Sequence, residues 1–227
     1  MANLLELEED VFEQISNESP IVKALGRPTG SSRAKRPIAE EELNKLLLFL
    51  EEATHIKVET KIRHKKCIAL SYYLGTRISE LLLLTVGDIR DAMETGEASL
   101  TNLTKTKRPR HLMFTPKSIS VISKLFKDEL DLAKGFSRND LLFHSPHNKR
   151  HPLHHAPFTR QMNNLIHAAL GNLYSSHSFR KGLLTSLAQT CHPRIAQKIL
   201  NHSSISTTML YFSPTDEDAR AALNQVR

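Results

Sequence analysis

Apolar residues recur at helical spacing along most of the chain, beginning near the N-terminus with Leu4, Leu7, Val11 and Ile15. This spacing predicts a short amphipathic helix in an acidic stretch, and a Gly-, Pro- and Ser-containing linker follows at residues 26–32. So short a helix cannot form a hydrophobic core alone. We therefore expect residues 1–36 to be an acidic amphipathic helix plus a linker, which docks on the body, docks on a neighbouring subunit or stays loose.

The main body of the chain begins at Pro37 and alternates helical patterns with two short strand patterns. The strand patterns, 98–103 and 110–114, flank a turn rich in lysine and arginine, which predicts a basic hairpin. Helices are predicted at 39–52, 60–74, 78–84, 117–132, 158–170, 177–190, 194–201 and 205–212.

These elements predict a mainly α fold with a small antiparallel β-sheet (α+β). We expect one main domain over 37–213 and a C-terminal helix within 214–227, which either folds back or is exchanged between subunits.

Charge is distributed unevenly along the sequence. Residues 1–60 hold 7 Lys and Arg against 12 Asp and Glu, whereas residues 61–227 hold 24 against 12. A basic body with an acidic N-terminal segment favours a polyanionic partner such as nucleic acid. A basic surface that binds nothing specific gives the same charge count, so charge alone leaves both interpretations open.

Several protein classes lose support from the sequence. No apolar run reaches the ~18 residues that would span a membrane, and the N-terminus lacks the basic-then-apolar start of a secretory signal. Two cysteines without a C-x-x-C pair indicate neither a disulfide framework nor a zinc site. We expect a protein of the cytoplasm or nucleoid, or of an organelle matrix if it is organelle-encoded, and not a secreted one.

Motifs for cofactor chemistry are also missing from the sequence. It contains no P-loop, no G-x-G-x-x-G and no G-x-S-x-G. Five histidines lie between His144 and His155, but their spacing matches no familiar ligand pattern and their neighbours predict a loop. We therefore expect neither a metal nor a nucleotide cofactor.

A set of separated residues has the side chains that metal-free phosphodiester transfer needs. That reaction requires a nucleophile, cations around the non-bridging oxygens and an acid for the leaving group. The candidates are an arginine after a helix-ending glycine, a histidine and an arginine three residues apart, a histidine at a helix end, and a tyrosine nine residues further on: Arg77, His177, Arg180, His202 and Tyr211.

The contexts of these residues resemble the motifs of the tyrosine recombinase family, the phage integrases and Xer-type recombinases. Residues 75–81 (GTRISEL) resemble its first arginine box, 177–180 (HSFR) its His-x-x-Arg box, and 200–211 (LNHSSISTTMLY) its closing box. The motifs occur in the family's order, and the resemblance covers roughly 37–213. It implies a site-specific recombinase that cleaves and rejoins DNA through a covalent 3′-phosphotyrosyl intermediate, without metal or ATP.

The resemblance also implies a role for each matching residue. Arg77 and Arg180 would hold the scissile phosphate, with His177 as a proton acceptor or hydrogen-bond donor. His202 would donate a hydrogen bond to the phosphate, and Tyr211 would be the nucleophile.

Two further roles follow from the same resemblance. Lys105 in the predicted basic hairpin would protonate the leaving oxygen, with Lys107 as the alternative. Glu80 would be a buried supporting residue.

The implied partner is double-stranded DNA, on which the protein is expected to form a homo-tetramer, and the protein free of DNA is expected to be a monomer. Basic residues outside the reacting set are expected to contact the DNA, namely Lys107, Arg108, Arg110, Lys149, Arg150 and Lys181. At position 201 an asparagine replaces the family's usual glycine, and we expect little effect because asparagine tolerates left-handed backbone.

The sequence departs from the family pattern before the body, where residues 1–36 leave no room for a full DNA-clamping domain. We expect a minimal recombinase or, failing that, a catalytic-domain fragment. Two other functions remain open at this point: a catalytically silent DNA-binding protein on the same fold, and a type IB topoisomerase or resolvase-like strand transferase.

Overall fold

The computed structural model of the chain describes residues 35–100 and 109–212, together with residues 220, 223 and 224. The predicted N-terminal helix and the turn that holds Lys105, Lys107 and Arg108 lie outside these residues. Most of the predicted C-terminal helix also lies outside the described residues, and the three residues of it that are described are helical. In the described residues the predicted fold class is confirmed: helices dominate and the strands form small antiparallel sheets.

The elements follow one another in an order close to the predicted one. They are α1 (Glu40–Glu52), α2 (Val58–Leu74), α3 (Ile78–Leu81), α4 (Val86–Thr95), β1 (Glu97–Leu100), β2 (Arg110–Met113), α5 (Pro116–Leu125), α6 (Lys127–Leu130), a 3-10 turn (Leu132–Lys134), β3 (His144–Ser145), β4 (Asn148–Pro152), α7 (His155–Leu170), α8 (His177–Ala188), α9 (Pro193–Leu200) and α10 (Ile205–Met209).

Three predictions about these elements are corrected by the structure. The predicted helix 78–84 ends at Leu81, and the sequence pattern missed α4, whose N-cap Thr85 exchanges hydrogen bonds with Asp88. The predicted helix 117–132 breaks at Phe126, whose side chain is fully buried in the core. The histidine-rich loop instead forms the β3–β4 hairpin.

The β1–β2 sheet alternates buried and exposed positions as a two-residue period requires. Ala98 pairs with Leu112 and Leu100 with Arg110, and all four residues face inward. The intervening Ser99 and the residues beside Leu112 face outward. The register therefore places Arg110 on the core side of the sheet.

A hydrophobic core joins α1, α2 and the aromatic residues of the later elements. Leu46 and Leu50 of α1 and Leu70 of α2 are completely buried. Phe143 packs edge-on against Phe126, with ring centroids 6.3 Å apart. Burial of these apolar side chains is the main contribution to stability.

The segment that precedes α1 is hydrogen-bonded to the start of α8. Ile38 N donates to Ser178 O at 3.0 Å, and Lys181 Nζ donates to Lys35 O at 2.6 Å. The two segments approach so closely that a Cβ atom at Gly182 would overlap the carbonyl of Ile38. This strap, residues 35–38, fixes the beginning of α8.

The described residues form two compact units, one up to Leu183 and one from Leu184 onward. The single domain predicted for 37–213 stays a prediction. In the portions of the chain that the structure covers, no helix combines the length and apolar character that crossing a bilayer would take.

Within the described parts of the chain, a buried imidazole has no hydrogen bond on either of its nitrogens. His64 of α2 is 4% exposed and lies against Phe158, and neither ring nitrogen has a partner among the described residues. Burial and the nearby Arg63 lower the pKa of His64 from 6.5 to about 4. The ring is therefore neutral in the folded protein at pH 7.

We predict that His64 makes the fold acid-sensitive. Below pH 6.5 the unfolded chain binds a proton that the folded chain does not accept until about pH 4, so the free energy of unfolding falls across that interval. The loss should be about 3 kcal/mol between pH 7 and pH 4. Urea unfolding at both pH values should show that His64→Leu removes this component.

His55→Leu, at a surface histidine, is the control and should leave the acid-dependent loss in place. An identical pH dependence in His64→Leu and in the unaltered chain would contradict this account.

Candidate active site

The turn between α2 and α3 carries the first predicted site residue. Gly75 ends α2 with φ 57° and ψ 28°, a left-handed conformation that glycine adopts without steric cost. Arg77 then begins α3, and its backbone N–H donates to Glu80 Oε2 at 2.8 Å. The Arg77 guanidinium also contacts this carboxylate, with Nη1 2.8 Å from Oε1. Glu80 thus fixes both the backbone and the side chain of Arg77.

A second guanidinium reaches the same carboxylate from the β1–β2 sheet. Arg110 Nη1 donates to Glu80 Oε2, and Arg110 Nη2 donates to Leu74 O at 3.2 Å and to Gly75 O at 3.5 Å. Arg110 is 0% exposed. The prediction that Arg110 contacts the DNA backbone is therefore wrong, because a guanidinium that faces a buried carboxylate is not at the surface.

A third guanidinium, from α8, completes a cluster that consists of Arg77, Glu80, Arg110 and Arg180. Arg180 is buried, and its Nη1 donates to Gly75 O at 2.9 Å. The carbonyl of Gly75 therefore accepts from both Arg180 and Arg110, and it links α8 to the turn that carries Arg77. The predicted residues Arg77, Glu80 and Arg180 are thus brought together, as the sequence hypothesis requires.

Positive charge exceeds negative charge in this cluster. Arg77 and Arg110 both pair with the Glu80 carboxylate, so two guanidinium groups share one negative charge, and Arg180 is bonded to the neighbouring Gly75 carbonyl. Burial, followed by the neighbouring Arg110 and Arg77, lowers the pKa of Arg180 to about 9, which still leaves it charged at pH 7. Crowded like charges of this kind are stabilised by an anion, and a forked guanidinium matches a phosphate.

His177 lies one helical turn before Arg180 on α8. Partial desolvation, and then the charges of Arg77 and Arg180, lower the pKa of His177 below its usual value of 6.5. The imidazole is therefore mostly neutral at pH 7 and can accept a proton. This electrostatic setting favours the predicted acceptor role over a permanently charged imidazolium.

The second unit holds the other two predicted site residues, His202 and Tyr211. Asn201 ends α9 with φ 51° and ψ 50°, which confirms that asparagine supplies the left-handed conformation there. His202 Nδ1 lies 2.9 Å from the hydroxyl of the fully buried Thr208, and Gln197 Nε2 donates to His202 O. The first contact orients the His202 ring, and the second holds its backbone.

Tyr211 follows α10 and is half-buried, and its backbone N–H donates to Thr208 O at 3.1 Å. Desolvation raises the pKa of its phenol above the usual 10. The hydroxyl is therefore protonated at neutral pH. To act as a nucleophile it needs a proton acceptor and nearby positive charge.

The remaining predicted residues lie outside the cluster or outside the described residues. Lys105, Lys107 and Arg108 belong to the latter group. Lys149 on β4 sits 3.7 Å from the centroid of the Phe136 ring, and Arg150 is exposed. Their contacts with DNA, like that of Lys181, stay predictions, although the structure shows Lys181 holding the strap.

No group of three metal-binding side chains occurs within the described ranges. The histidines of the histidine-rich segment are divided between the β3–β4 hairpin and the residues that begin α7.

Sequence reasoning missed two residues of the site. Thr208 carries no recognisable signal, because a helical threonine is usually unremarkable. Arg110 does carry one: it shares the two-residue alternation of Leu112 and Phe114, all buried, while His111 and Met113 are exposed. This alternation assigns Arg110 to the inward face of its strand.

Comparison with known proteins gives consistent matches. The model of the Phage integrase family matches residues 36–218. A tyrosine recombinase XerD of Oceanobacillus iheyensis is 26% identical over 206 residues, covering 88% of this chain and 65% of the relative. A tyrosine recombinase XerC of Caldanaerobacter subterraneus subsp. tengcongensis is 30% identical, covering 85% and 56%. The chain therefore spans less than two thirds of the length of these relatives.

Among solved structures, the fold is similar to that of a XerH site-specific recombinase bound to difH substrate in a pre-cleavage complex. The TM-score is 0.63 at 22% identity, and the match covers 86% of this chain and 55% of that one.

We predict that replacing Glu80 by glutamine destabilises the fold strongly. The change leaves Arg110 buried without its counter-charge, which typically costs about 3–5 kcal/mol. Urea unfolding measures the difference. Glu41→Gln is the matched control, because Glu41 forms an exposed pair with Lys45 and its loss should be barely measurable. Equal effects of the two substitutions would show that the buried carboxylate does not support the cluster.

Proposed function

This chain belongs to the phage integrase family, and from that premise we propose that it is a tyrosine-type site-specific DNA recombinase. Its substrate is a phosphodiester of double-stranded DNA. The observation that carries the proposal is the excess of guanidinium charge around Glu80, part of it open to solvent at Arg77, whose side chain is 43% exposed. A phosphate is the anion that this geometry suits best.

The first chemical step forms one bond and breaks another. The Tyr211 oxygen attacks the phosphorus of the scissile phosphate, and the bond to the 5′ oxygen of the next nucleotide breaks. His177 accepts the phenol proton, which its lowered pKa allows. Lys105, or alternatively Lys107, gives a proton to the departing 5′ oxygen. The products are a 3′-phosphotyrosyl link and a free 5′-hydroxyl.

Rejoining is the reverse reaction with a 5′-hydroxyl from another strand. That hydroxyl attacks the phosphotyrosyl phosphorus, and the bond to Tyr211 breaks. One phosphodiester is exchanged for another of similar energy, so the reaction needs no nucleotide hydrolysis. During both steps Arg77 and Arg180 stabilise the extra negative charge on the non-bridging oxygens, and His202 donates a hydrogen bond to one of them.

Double-stranded DNA is the proposed partner and a tetramer on two duplexes the proposed assembly, formed in the cytoplasm or nucleoid. The XerH relative of known structure is bound to its difH substrate, which supports the choice of duplex DNA. The exposed Arg150 and the neighbouring Lys149 are proposed to contact the DNA backbone. Such contacts orient the protein on the duplex without specifying its sequence.

The proposal predicts a covalent protein–DNA adduct that depends on Tyr211. The full chain is incubated with a pool of nicked duplexes of randomised sequence. DNA that stays attached to the protein under denaturing conditions is then recovered and amplified. On the selected duplex the unaltered chain should form an adduct, whereas Tyr211→Phe should form none because the phenylalanine ring carries no nucleophilic oxygen. Denaturing gels with labelled DNA measure the adduct.

Tyr72→Phe is the matched control, since Tyr72 is a half-buried tyrosine of α2 outside the cluster. Its adduct yield should equal that of the unaltered chain. Tight binding of duplex DNA with no adduct would identify a silent binding protein instead. Relaxation of supercoiled DNA, without strand exchange between two selected duplexes, would identify a topoisomerase-like enzyme.

The proposed role of Lys105 as the acid leads to a separate prediction. Lys105→Ala should slow adduct formation by about a hundredfold or more, because the 5′ alkoxide then leaves without a proton. A duplex with sulfur in place of the leaving 5′ oxygen should restore the rate, since a thiolate leaves unprotonated.

Lys107→Ala is the comparison, and it should keep most of the rate on the ordinary duplex. The opposite pattern would assign the acid to Lys107. Loss of activity in Lys105→Ala that sulfur does not restore would show that Lys105 has another role.

A further inference from the structure

Arg110 is the largest side chain buried to under 2% exposure among the described residues, and it carries a charge. We propose that Arg110 is a positioning residue, which holds Glu80 and the Gly75 carbonyl so that Arg77 and Arg180 form one phosphate-binding pair. Its effect on DNA cleavage rests on the function proposed above. Its effect on anion binding does not.

Burial of Arg110 is unfavourable for stability taken alone. A buried guanidinium loses its hydration, and an apolar residue on the inward face of a strand would pack at less cost. Arg110 Nε also has no hydrogen-bond partner within the described parts of the chain. The side chain thus directs both terminal nitrogens toward the site and leaves its third nitrogen unsatisfied, which packing by itself does not explain.

The first contact of Arg110 acts on Arg77. The Glu80 carboxylate accepts from Arg110 Nη1 at Oε2 and from Arg77 Nη1 at Oε1, so a guanidinium holds each of its oxygens. A carboxylate fixed at both oxygens cannot rotate about its terminal bond. Arg77 is therefore anchored by one nitrogen, and the rest of its exposed guanidinium is directed toward solvent and available to a ligand.

The second contact acts on Arg180. Arg110 Nη2 donates to the carbonyls of Leu74 and Gly75, and the Gly75 carbonyl is also the acceptor for Arg180 Nη1. Arg110 therefore orients the acceptor that Arg180 uses. The strand, the turn after α2 and the helix α8 meet at this carbonyl.

Arg110 also sets the charge balance of the cluster. With Arg110 present, the guanidinium groups of Arg77 and Arg110 share the one negative charge of Glu80. Without Arg110, Glu80 would neutralise Arg77 alone, and the positive charge beside the site would fall by one. Both the geometry and the charge that meet an anion would change, although Arg110 itself would not touch that anion.

The inference is tested with the full chain and inorganic phosphate as the probe. Phosphate affinity is measured by isothermal titration at constant ionic strength for the unaltered chain and for Arg110→Met, Arg110→Lys and the control Arg138→Met. Arg138 forms a surface pair with Asp91 outside the cluster. Circular dichroism and thermal unfolding verify that each variant is folded.

We expect phosphate binding to weaken tenfold or more in Arg110→Met and to stay unchanged in Arg138→Met. Arg110→Lys should lie between them, because an ammonium can meet Glu80 but cannot reach both carbonyls in the same fork geometry. If Arg110→Met fails to fold, Arg110→Lys decides by the same measurement. Unchanged affinity in a folded Arg110 variant, or no phosphate binding by the unaltered chain, would overturn the inference.

A second measurement separates this inference from the proposed function. On the selected duplex at saturating protein, single-turnover adduct formation should slow tenfold or more in Arg110→Met, while duplex affinity stays the same. If the unaltered chain forms no adduct but Arg110→Met still loses phosphate affinity, the proposed function fails and the positioning role stands. If adduct forms equally in both chains, the proposed function stands and the positioning role fails.

Discussion

The ion pairs of Glu80 are the constraint on which the arrangement of the first unit depends. One carboxylate, almost excluded from water, holds Arg77 at the start of α3 and Arg110 from β2. Carbonyl groups of the turn after α2 also accept hydrogen bonds from Arg110, but the Glu80 carboxylate is the group that pairs with both Arg77 and Arg110. This pairing holds the groups in place because, in a weakly polarisable interior, an unpaired charge is far more costly than a paired one.

The electrostatic states of the site residues form a consistent set. Burial, and then the charges of Arg77 and Arg180, lower the pKa of His177, so that its imidazole can accept a proton beside a positive cluster. Burial keeps the Tyr211 phenol protonated in the resting protein. A phenol ionises readily only where a proton acceptor and positive charge lie close to it. Under the proposed function, this requirement would protect Tyr211 from unwanted reaction until the site is assembled around a phosphate.

Sequence reasoning predicted the fold class and two arginines and one glutamate of the cluster around Glu80, because these depend on local patterns. Helical periodicity and Gly75 locate the end of α2, and the motif spacing identifies Arg77, Glu80 and Arg180. Long-range packing explains one error, because burial of Phe126 interrupts a continuous helical pattern. The start of α4 is a local capping box between Thr85 and Asp88, a sequence signal that was overlooked. Arg110 was assigned to the surface because arginine is rarely buried, although strand alternation places it inward.

The strap at residues 35–38 has a mechanical consequence. It is hydrogen-bonded to the first turns of α8, at Ser178 and Lys181, and Gly182 leaves no gap between the two. A force applied to the chain ahead of Lys35 is therefore transmitted to the helix that carries His177 and Arg180, and not dissipated in a loose tether. Tension at the start of the strap and the orientation of α8 are therefore coupled through a hydrogen-bonded joint of four residues, 35–38.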